Sequence, residues 1–92
     1  RRNKSAMQIV FTPKARKDLD FWIKSGNKNI LKKINALIED IQLHPFDGIG
    51  KPEPLKHNYA GFWFRRIDDE HQLIYQVKGD NILIAKCRFH YD

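Results

Sequence analysis

The chain has 92 residues, 17 Lys and Arg against 11 Asp and Glu, four His and one Cys, and a formal net charge of +6. This length favours a single domain, since domains cluster around ~100–150 residues, and no apolar run approaches the ~20 residues that a membrane helix needs. One cysteine cannot form an internal disulfide and no secretory signal is present, so we expect a cytoplasmic protein.

The first six residues carry three cations and no large apolar side chain, and a strand-like run begins at Met7. We interpret residues 1–6 as an extension added during cloning and residues 7–92 as a single domain. Without the extension the balance is 14 basic minus 11 acidic residues, a charge of +3. A charge this small fits an anionic partner but does not identify one.

A short strand and a helix are predicted next. Residues Gln8–Phe11 are apolar at three of four positions, which is typical of a short buried strand. Thr12 can accept hydrogen bonds from the free amides of a first helical turn, and Pro13 has no amide to leave unpaired, so a helix begins there. It ends at Ser25-Gly26-Asn27. One apolar stripe follows the helical spacing: Ala15, Leu19, Trp22 and Ile23.

A second helix is predicted from about Lys28 to His44, because Pro45 disfavours helical geometry in the residue before it. Its apolar stripe comprises Ile30, Ile34, Leu37, Ile38 and Ile41. The connection of about three residues between the helices predicts an antiparallel helical hairpin.

The rest of the chain is predicted to form strands after an irregular connection. Residues 45–61 contain three prolines and three glycines, too many for a regular element. Three β-rich runs follow, Phe62–Ile67, Gln72–Val77 and Ile82–Arg88, and Gly79-Asp80 predicts a hairpin turn between the last two. The element order β-α-α-β-β-β indicates an α+β domain in which the helical hairpin packs on one antiparallel sheet.

Glu53 is the first candidate for chemistry. It lies between Pro52 and Pro54, which restrict the backbone, and it is flanked by Lys51 and Lys56. A fixed carboxylate beside two cations could accept a proton from an anionic substrate that the lysines hold. The same residues also fit a stiff, solvated loop, and spacing alone favours that interpretation.

Arg65 and Arg66 follow three aromatic residues in the first β-rich run. Alternation along a strand places Phe64 and Arg66 on one face and Trp63 and Arg65 on the other, so at most one arginine is central to any one site. Arginine beside aromatic rings suits RNA, because guanidinium pairs with phosphate and rings stack on bases. The alternative places Trp63 in the core and leaves both arginines in solvent.

His90 and Tyr91 follow the last predicted strand. If the sheet holds that strand, His90 could act as a general acid or base near neutral pH; otherwise it is an exposed histidine or one bound to a backbone carbonyl. Cys87 is expected to be a buried thiol. His71 and its acidic neighbours fit a hydrophilic turn as well as a metal site, and the spacing of His and Cys matches no zinc motif.

Three motifs together resemble one known family. Gly50–His57, Gly61–Ile67 with Asp69-Glu70-His71, and His90-Tyr91 occur in the order and at the spacing of the YoeB (Txe) toxins of the RelE/ParE superfamily. The resemblance covers Met7 to Tyr91. It implies a RelE-like fold, cleavage of mRNA in the ribosomal A site with inhibition of translation, and neutralisation by a YefM-type antitoxin.

The resemblance also implies roles for individual residues. Glu53 matches the general base, His90 the general acid, and Tyr91 an aromatic residue that holds the substrate. In the family, a pair of arginines and a nearby lysine are associated with contacts to the RNA backbone, and these match Arg65, Arg66 and Lys56. The reaction deprotonates a 2′-hydroxyl, stabilises a charged transition state and protonates a 5′-oxygen. A carboxylate, a cation and an imidazole suffice for these steps, so no metal or other cofactor is expected.

One position departs from the family pattern. The family usually reads His-Arg-Leu after the acidic turn, and this chain reads His71-Gln72-Leu73, so a glutamine replaces an arginine associated with transition-state stabilisation. Gln72 can still donate hydrogen bonds, but losing one charged contact would cost ~2–4 kcal/mol unless Arg65 or Arg66 compensates. The sequence fits both a natural variant of altered activity and a substitution that made the toxin tolerable to express.

Two other functions are compatible with these features. In the first, the fold has lost catalysis and acts with the antitoxin as a transcriptional corepressor on operator DNA, which the uncharged Gln72 favours. In the second, taken from the ParE branch, the toxin poisons gyrase, and Glu53 and His90-Tyr91 speak against it. The expected partners are an acidic antitoxin segment that folds on binding, the ribosome and mRNA. Operator DNA is reached only through the antitoxin complex, and a homodimer is compatible with the family.

Overall fold

The computed structural model describes residues 7–89. Residues 1–6 and 90–92 lie outside that range, and with them the predicted extension and the candidates His90 and Tyr91. Within residues 7–89, no helix has both the length and the apolar character needed to cross a membrane.

Two helices begin close to the positions that the sequence predicts, the first after the predicted cap Thr12 and the second after Asn27. α1 spans Pro13–Ser25 and α2 spans Lys28–Leu43. The Thr12 hydroxyl accepts a hydrogen bond from the Ala15 N–H at 3.1 Å, and the Asn27 side chain accepts one from the Ile30 N–H at 3.1 Å. Between the helices, Gly26 has a φ of +71°, a left-handed conformation that ends α1 and turns the chain.

Five strands form one mixed sheet in the order β1-β5-β4-β3-β2. Their bounds are Gln8–Phe11 (β1), Glu53–Pro54 (β2), Phe62–Arg66 (β3), Gln72–Lys78 (β4) and Asn81–Lys86 (β5). β1 pairs with β5 in parallel, and the other pairs are antiparallel. The predicted α+β fold is confirmed. Its sheet is mixed rather than wholly antiparallel, because the first strand joins the edge beside the last one.

The connection predicted to be irregular contains an additional strand. Glu53 pairs with Phe64 and Pro54 pairs with Trp63, and a short 3-10 helix follows at His57–Tyr59. Proline has no N–H for a strand ladder and is tolerated at a sheet edge, which is where β2 lies. The prediction of no regular element in residues 45–61 is therefore wrong, and Glu53 is fixed on the sheet.

Both helices cover one face of the sheet and bury apolar side chains there. The core draws on both layers: Trp22, Ile34, Leu37, Ile41, Leu73, Tyr75, Ile82 and Ile84. Ile23 is 55% exposed, so its place in the predicted stripe is wrong. Asp18 is buried in α1 because its carboxylate accepts hydrogen bonds from the Lys14 ammonium at 2.8 Å and from the Cys87 N–H at 3.0 Å.

Candidate functional site

β3 separates the two neighbouring arginines onto opposite faces of the sheet. Arg65 faces the helices and is 0% exposed, whereas Arg66 is exposed on the other side. We call that other side the open face; it carries Glu53, Phe62, Phe64, Arg66, Gln72 and Ile74, as strand alternation and register require. The predicted split of the two arginines is confirmed.

Arg65 makes hydrogen bonds through all three guanidinium nitrogens. Its acceptors are Asp40 Oδ2 (2.5 Å), the Tyr75 hydroxyl (3.2 Å) and the backbone carbonyls of His44, Asp47 (2.7 Å) and Ile49 (3.0 Å). We call Arg65, Asp40, Tyr75 and the loop of residues 44–50 the Arg65 cluster. Because the guanidinium is buried and bound within this cluster, it has no surface on the open face.

Two side chains of the Arg65 cluster have shifted pKa values. Burial raises the pKa of Asp40, but hydrogen bonds from Arg65 and the Ile49 N–H, together with the Arg65 charge, more than offset this and hold that pKa below its usual value. Burial raises the pKa of Tyr75 despite the nearby Arg65, and its hydroxyl donates to the Pro45 carbonyl at 2.7 Å. At neutral pH the cluster therefore contains an ion pair and a neutral phenol.

The loop of the Arg65 cluster lies close to α2 and β3 because two of its residues are glycines. A Cβ at Gly48 would lie 2.0 Å from Asp40 Oδ2, and one at Gly50 would lie 2.7 Å from Leu37 Cδ2. Both have positive φ, +110° and +82° respectively. The Gly50 carbonyl accepts a hydrogen bond from the Arg66 N–H at 2.7 Å, so the loop leads into β2 beside Arg66.

The open face brings Glu53 and Arg66 together. Glu53 is opposite Phe64, so Arg66, two residues further along β3, is its diagonal neighbour at about 7–8 Å by strand geometry. Gln72 on β4 is directly opposite Arg66. Glu53 and Arg66 are both exposed. A carboxylate, a guanidinium and an amide thus follow one another across three adjacent strands.

Lys51 and Lys56 are exposed on either side of β2. The residue before Lys51 is bonded to β3 at Arg66, whereas Lys56 follows Leu55, whose N–H donates to the Phe62 carbonyl at 2.8 Å. The two lysines therefore lie near opposite ends of β3. An extended anionic chain on the open face would meet a cation at each end.

A groove of about 400 Å3 shares two of its residues with the open face. It is lined by Lys14, Asn58, Tyr59, Phe62, Ile74, Ala85 and Lys86. The Tyr59 and Phe62 rings meet edge to face, with their centroids 6.4 Å apart. Aromatic side chains beside lysines suit a flat ring attached to a phosphate. Sequence reasoning missed this groove, because its residues come from separate segments that only the fold brings together.

The described chain ends beside Gln72. The Gln72 N–H donates to the Phe89 carbonyl at 3.0 Å, and the Phe89 N–H donates to His71 Nδ1 at 2.8 Å. His71 is 7% exposed, and its ring centroid is 4.8 Å from that of Trp22. Of the two alternatives that the sequence leaves open here, the hydrophilic turn describes the exposed residues 68–70 but not the His71 ring, which packs inwards.

Cys87 is a buried thiol, as predicted. Its side chain is 0% exposed, and burial, followed by the negative charge of Asp18, raises its pKa to about 12. A thiol that stays protonated is a poor nucleophile. Among residues 7–89, no group of three or more His, Cys, Asp or Glu side chains is placed to hold a metal ion.

Comparisons with known proteins identify the family. A family model described as the YoeB-like toxin of bacterial type II toxin-antitoxin systems matches residues 11–91. The chain is 51% identical over 85 residues to toxin YoeB of Escherichia coli (strain K12), and the match covers 92% of this chain and 100% of that protein. It is also 51% identical over 85 residues to toxin YoeB of Synechocystis sp., with coverages of 92% and 98%.

Solved structures of similar proteins share the fold. The YoeB/ParE toxin from Agrobacterium tumefaciens gives a TM-score of 0.87 at 41% identity, covering 92% of this chain and 100% of that one. The YoeB dimer from Staphylococcus aureus gives 0.85 at 41% identity, with coverages of 94% and 99%. The YoeB-YefM complex from the same organism gives 0.83 at 43% identity, with coverages of 92% and 98%. The chain therefore belongs to the YoeB-like toxins of bacterial type II toxin-antitoxin systems.

Proposed function

We propose that this toxin inhibits translation by cleaving mRNA in the ribosomal A site, as an endoribonuclease that needs no metal. The observation that carries the proposal is the row of Glu53, Arg66 and Gln72 across β2, β3 and β4, with the Phe89 carbonyl bonded to the Gln72 N–H. His90, the next residue after Phe89, supplies the acid in this proposal. The proposal thus assigns the base to β2, next to Arg66, and the acid to the residue that follows Phe89 in the sequence.

This row suits attack by a ribose 2′-hydroxyl on the adjacent phosphate. Glu53 accepts the hydroxyl proton, the 2′-oxygen forms a bond to phosphorus, and the bond from phosphorus to the 5′-oxygen breaks as His90 protonates that oxygen. Arg66 pairs with the phosphate and stabilises its developing charge. Neighbouring strands are about 4.8 Å apart, so β2 and β4 are about 10 Å apart, which leaves room for a phosphate above β3.

Arg65 has a different role from Arg66 in this proposal. Its guanidinium binds the loop of residues 44–50, which leads directly to Lys51 and Glu53. We assign the stabilisation of the transition state to Arg66 and the positioning of this loop to Arg65. The family resemblance implies that both arginines contact the RNA backbone, but in this proposal only Arg66 does so. A buried guanidinium whose hydrogen bonds are all made within the protein does not reach a phosphate on the open face.

The proposed substrate contacts extend on both sides of the row. Lys51 and Lys56 bind the phosphates on either side of the cleaved bond. The groove that contains Tyr59 and Phe62 receives a base, and Tyr91, which follows His90 in the sequence, helps to hold the substrate. Gln72 donates a hydrogen bond where the family pattern has a charge; its Oε1 is buried and has no hydrogen-bond partner among residues 7–89. Arg66, the register partner of Gln72, supplies the positive charge in this part of the row.

The proposed protein partner is a YefM-type antitoxin, since a relative at 43% identity is solved as a YoeB-YefM complex. Exposed cations around Glu53 suit an acidic segment that folds on binding and covers the site. Through this complex the toxin reaches operator DNA. A relative solved as a dimer favours a homodimer of the free toxin, and a ribosomal substrate places that toxin in the cytoplasm.

The test is primer-extension mapping of mRNA cut sites with the purified toxin, with and without translating ribosomes. Cuts are expected only with ribosomes. Glu53→Gln and His90→Ala should each lower the cleavage rate by about 100-fold or more, because general acid-base catalysis contributes about 10²–10⁴-fold. Glu39→Gln alters another exposed carboxylate, on α2, and should cut like the wild type. Full activity of both site variants would contradict this assignment of acid and base.

The uncharged Gln72 favours one second function, a corepressor that binds antitoxin and operator DNA but does not cut mRNA. Expression of the chain in bacteria without antitoxin separates the two functions. Arrest of translation and growth supports the nuclease. Normal growth, together with operator binding by the toxin-antitoxin complex, supports the corepressor.

A further inference from the structure

We infer that His71 is a positioning residue for His90: it fixes the backbone of the preceding residue and so sets where the proposed general acid can reach. The inference rests on the proposed nuclease function. It concerns a side chain that touches no substrate in that mechanism and to which the sequence gives no definite role.

Phe89 is held at both of its polar backbone groups by two consecutive residues. Its N–H donates to His71 Nδ1 at 2.8 Å, and its carbonyl accepts from the Gln72 N–H at 3.0 Å. Phe89 has a φ of +64°, a conformation that a bulky residue keeps where its surroundings impose it. These two hydrogen bonds therefore fix the backbone of the residue that immediately precedes residue 90.

His71 is itself held firmly. Its ring is 7% exposed and meets the Trp22 ring at 4.8 Å and 82°. Its N–H donates to Asp68 Oδ1 at 2.8 Å, and its carbonyl accepts from the Ile67 N–H at 2.9 Å. A side chain already fixed by packing loses little further freedom when it accepts a hydrogen bond. His71 therefore offers Phe89 a preformed acceptor.

Other buried side chains hold the segment two residues earlier. Trp22 Nε1 donates to the Cys87 carbonyl at 2.9 Å, and Asp18 Oδ2 accepts from the Cys87 N–H at 3.0 Å. Residues 87 and 89 are thus fixed from α1 and from the turn before β4. Of these three side-chain hydrogen bonds, the one to His71 is the nearest in sequence to His90.

The hydrogen bond requires an acceptor at the position of Nδ1. In histidine this means the neutral ring with its proton on Nε2, which lies 3.7 Å from Glu70 Oε1. Asparagine carries an amide oxygen on Cγ, where histidine carries Nδ1, whereas leucine fills the space without an acceptor. These two substitutions separate the role of His71 as an acceptor from its role in packing.

The experiment measures kcat and KM of ribosome-dependent cleavage by the full-length His71→Leu and His71→Asn toxins. His71→Leu should lower kcat by about 10–100-fold and leave KM unchanged, because a misplacement of about 1 Å can cost about 100-fold in rate while substrate binding elsewhere persists. His71→Asn should recover most of the lost kcat. Amide exchange at Phe89 should be fast in His71→Leu and slow in the wild type and His71→Asn.

The matched control is Ile41→Val, which removes a methyl group from α2 in the core. It should lower stability and leave kcat unchanged. The inference is overturned if His71→Leu keeps the kcat of the wild type, if His71→Asn is as slow as His71→Leu, or if Phe89 exchanges equally fast in all variants. Should His71→Leu not fold, His71→Gln, whose oxygen lies one bond further out, takes its place with the same expected loss.

The same measurements distinguish this inference from the function on which it rests. A wild-type toxin that cuts no mRNA on ribosomes would refute the proposed function. Exchange at the Phe89 amide would then decide by itself whether His71 fixes this segment. An active wild type with an unaffected His71→Leu variant would refute only the inference.

Discussion

Arg65 and Arg66 are adjacent in the sequence and have opposite surroundings. Arg65 is 0% exposed and bound to five acceptors on the helix side of the sheet, whereas Arg66 is exposed on the open face. One arginine shapes the loop that precedes Glu53, and the other is available to an anion. Two adjacent arginines in a strand therefore do not both contribute their charge to one site, because strand alternation places them on opposite faces of the sheet.

The difference also shows what makes a buried arginine stable. A guanidinium offers five N–H donors in a planar fork, which match the carboxylate, hydroxyl and three carbonyls that surround Arg65. The carboxylate of Asp40, whose side chain is 20% exposed, balances the positive charge of the Arg65 guanidinium. Desolvation of a charge is tolerated only where both its partner and its hydrogen bonds are in place. On the open face, water can solvate Arg66 without such partners.

The largest expected effect comes from removing each charge in turn. Arg65→Met leaves Asp40 and three loop carbonyls without their donor, and should lower the free energy of unfolding by about 3–5 kcal/mol. Arg66→Met should change it by less than about 0.5 kcal/mol, as is usual for a surface position, while abolishing cleavage. Urea unfolding and primer extension measure the two effects. Equal destabilisation by both variants would contradict the division of roles between the arginines.

A smaller effect should depend on pH at the partner of Arg65. Asp40→Asn should cost about 2 kcal/mol at pH 7, since it replaces charged hydrogen bonds by neutral ones. The folded pKa of Asp40 lies below its unfolded pKa of about 3.9, so this stabilisation is complete above that pH and is lost as the pH falls through the folded value. The difference in free energy of unfolding between the wild type and Asp40→Asn should therefore shrink below about pH 4.

Unfolding in urea at several pH values measures this dependence. Asp20→Asn, at an exposed position of α1, is the matched control and should show no comparable cost. A difference between wild type and Asp40→Asn that stays constant from neutral to acidic pH would contradict an ion pair between Asp40 and Arg65.

The smallest expected effect concerns the neutral member of the Arg65 cluster. Tyr75→Phe removes the donor to the Pro45 carbonyl and the acceptor for Arg65 Nε, and should cost about 1–2 kcal/mol. Cleavage by the folded variant should fall only slightly, because the loop keeps its other bonds to Arg65. Thermal unfolding and primer extension provide the measurements. A loss of cleavage as large as that of Arg66→Met would show that the helix side of the sheet takes part in the chemistry.

Local patterns in the sequence predicted the helices and the three long strands well. Thr12, Asn27 and Gly26 set the ends of α1 and α2 through contacts within one turn, which a sequence displays directly. The strand at Glu53–Pro54 has no such local pattern, because its ladder partner β3 lies about ten positions further along the chain. Ile23 matched the helical spacing, yet Asp18 is the buried residue, because its carboxylate accepts a hydrogen bond from the Cys87 N–H, 69 positions further along the chain.

The candidate site was predictable to the extent that it depends on alternation and motif. The sequence placed Arg65 and Arg66 on opposite faces but could not say which is buried, because the deciding carboxylate, Asp40, is 25 positions away. It likewise gave no sign that His71 accepts a hydrogen bond from a residue 18 positions away. Glu53 was recognised by motif, and its placement beside Arg66 required the register of β2.

The position of β1 has a consequence for how the toxin is made. β1 pairs with β5 from Gln8 opposite Asn81, and Thr12 bonds to the Ala85 carbonyl across 73 positions of sequence. A ribosome that synthesises this chain therefore releases β1 long before its neighbour in the sheet exists. The pairing of β1 with β5 cannot form until β5 has been synthesised. The sheet that carries Glu53 and Arg66 is completed only when β5 emerges, so an unfinished chain cannot yet hold these two residues in their places on the open face.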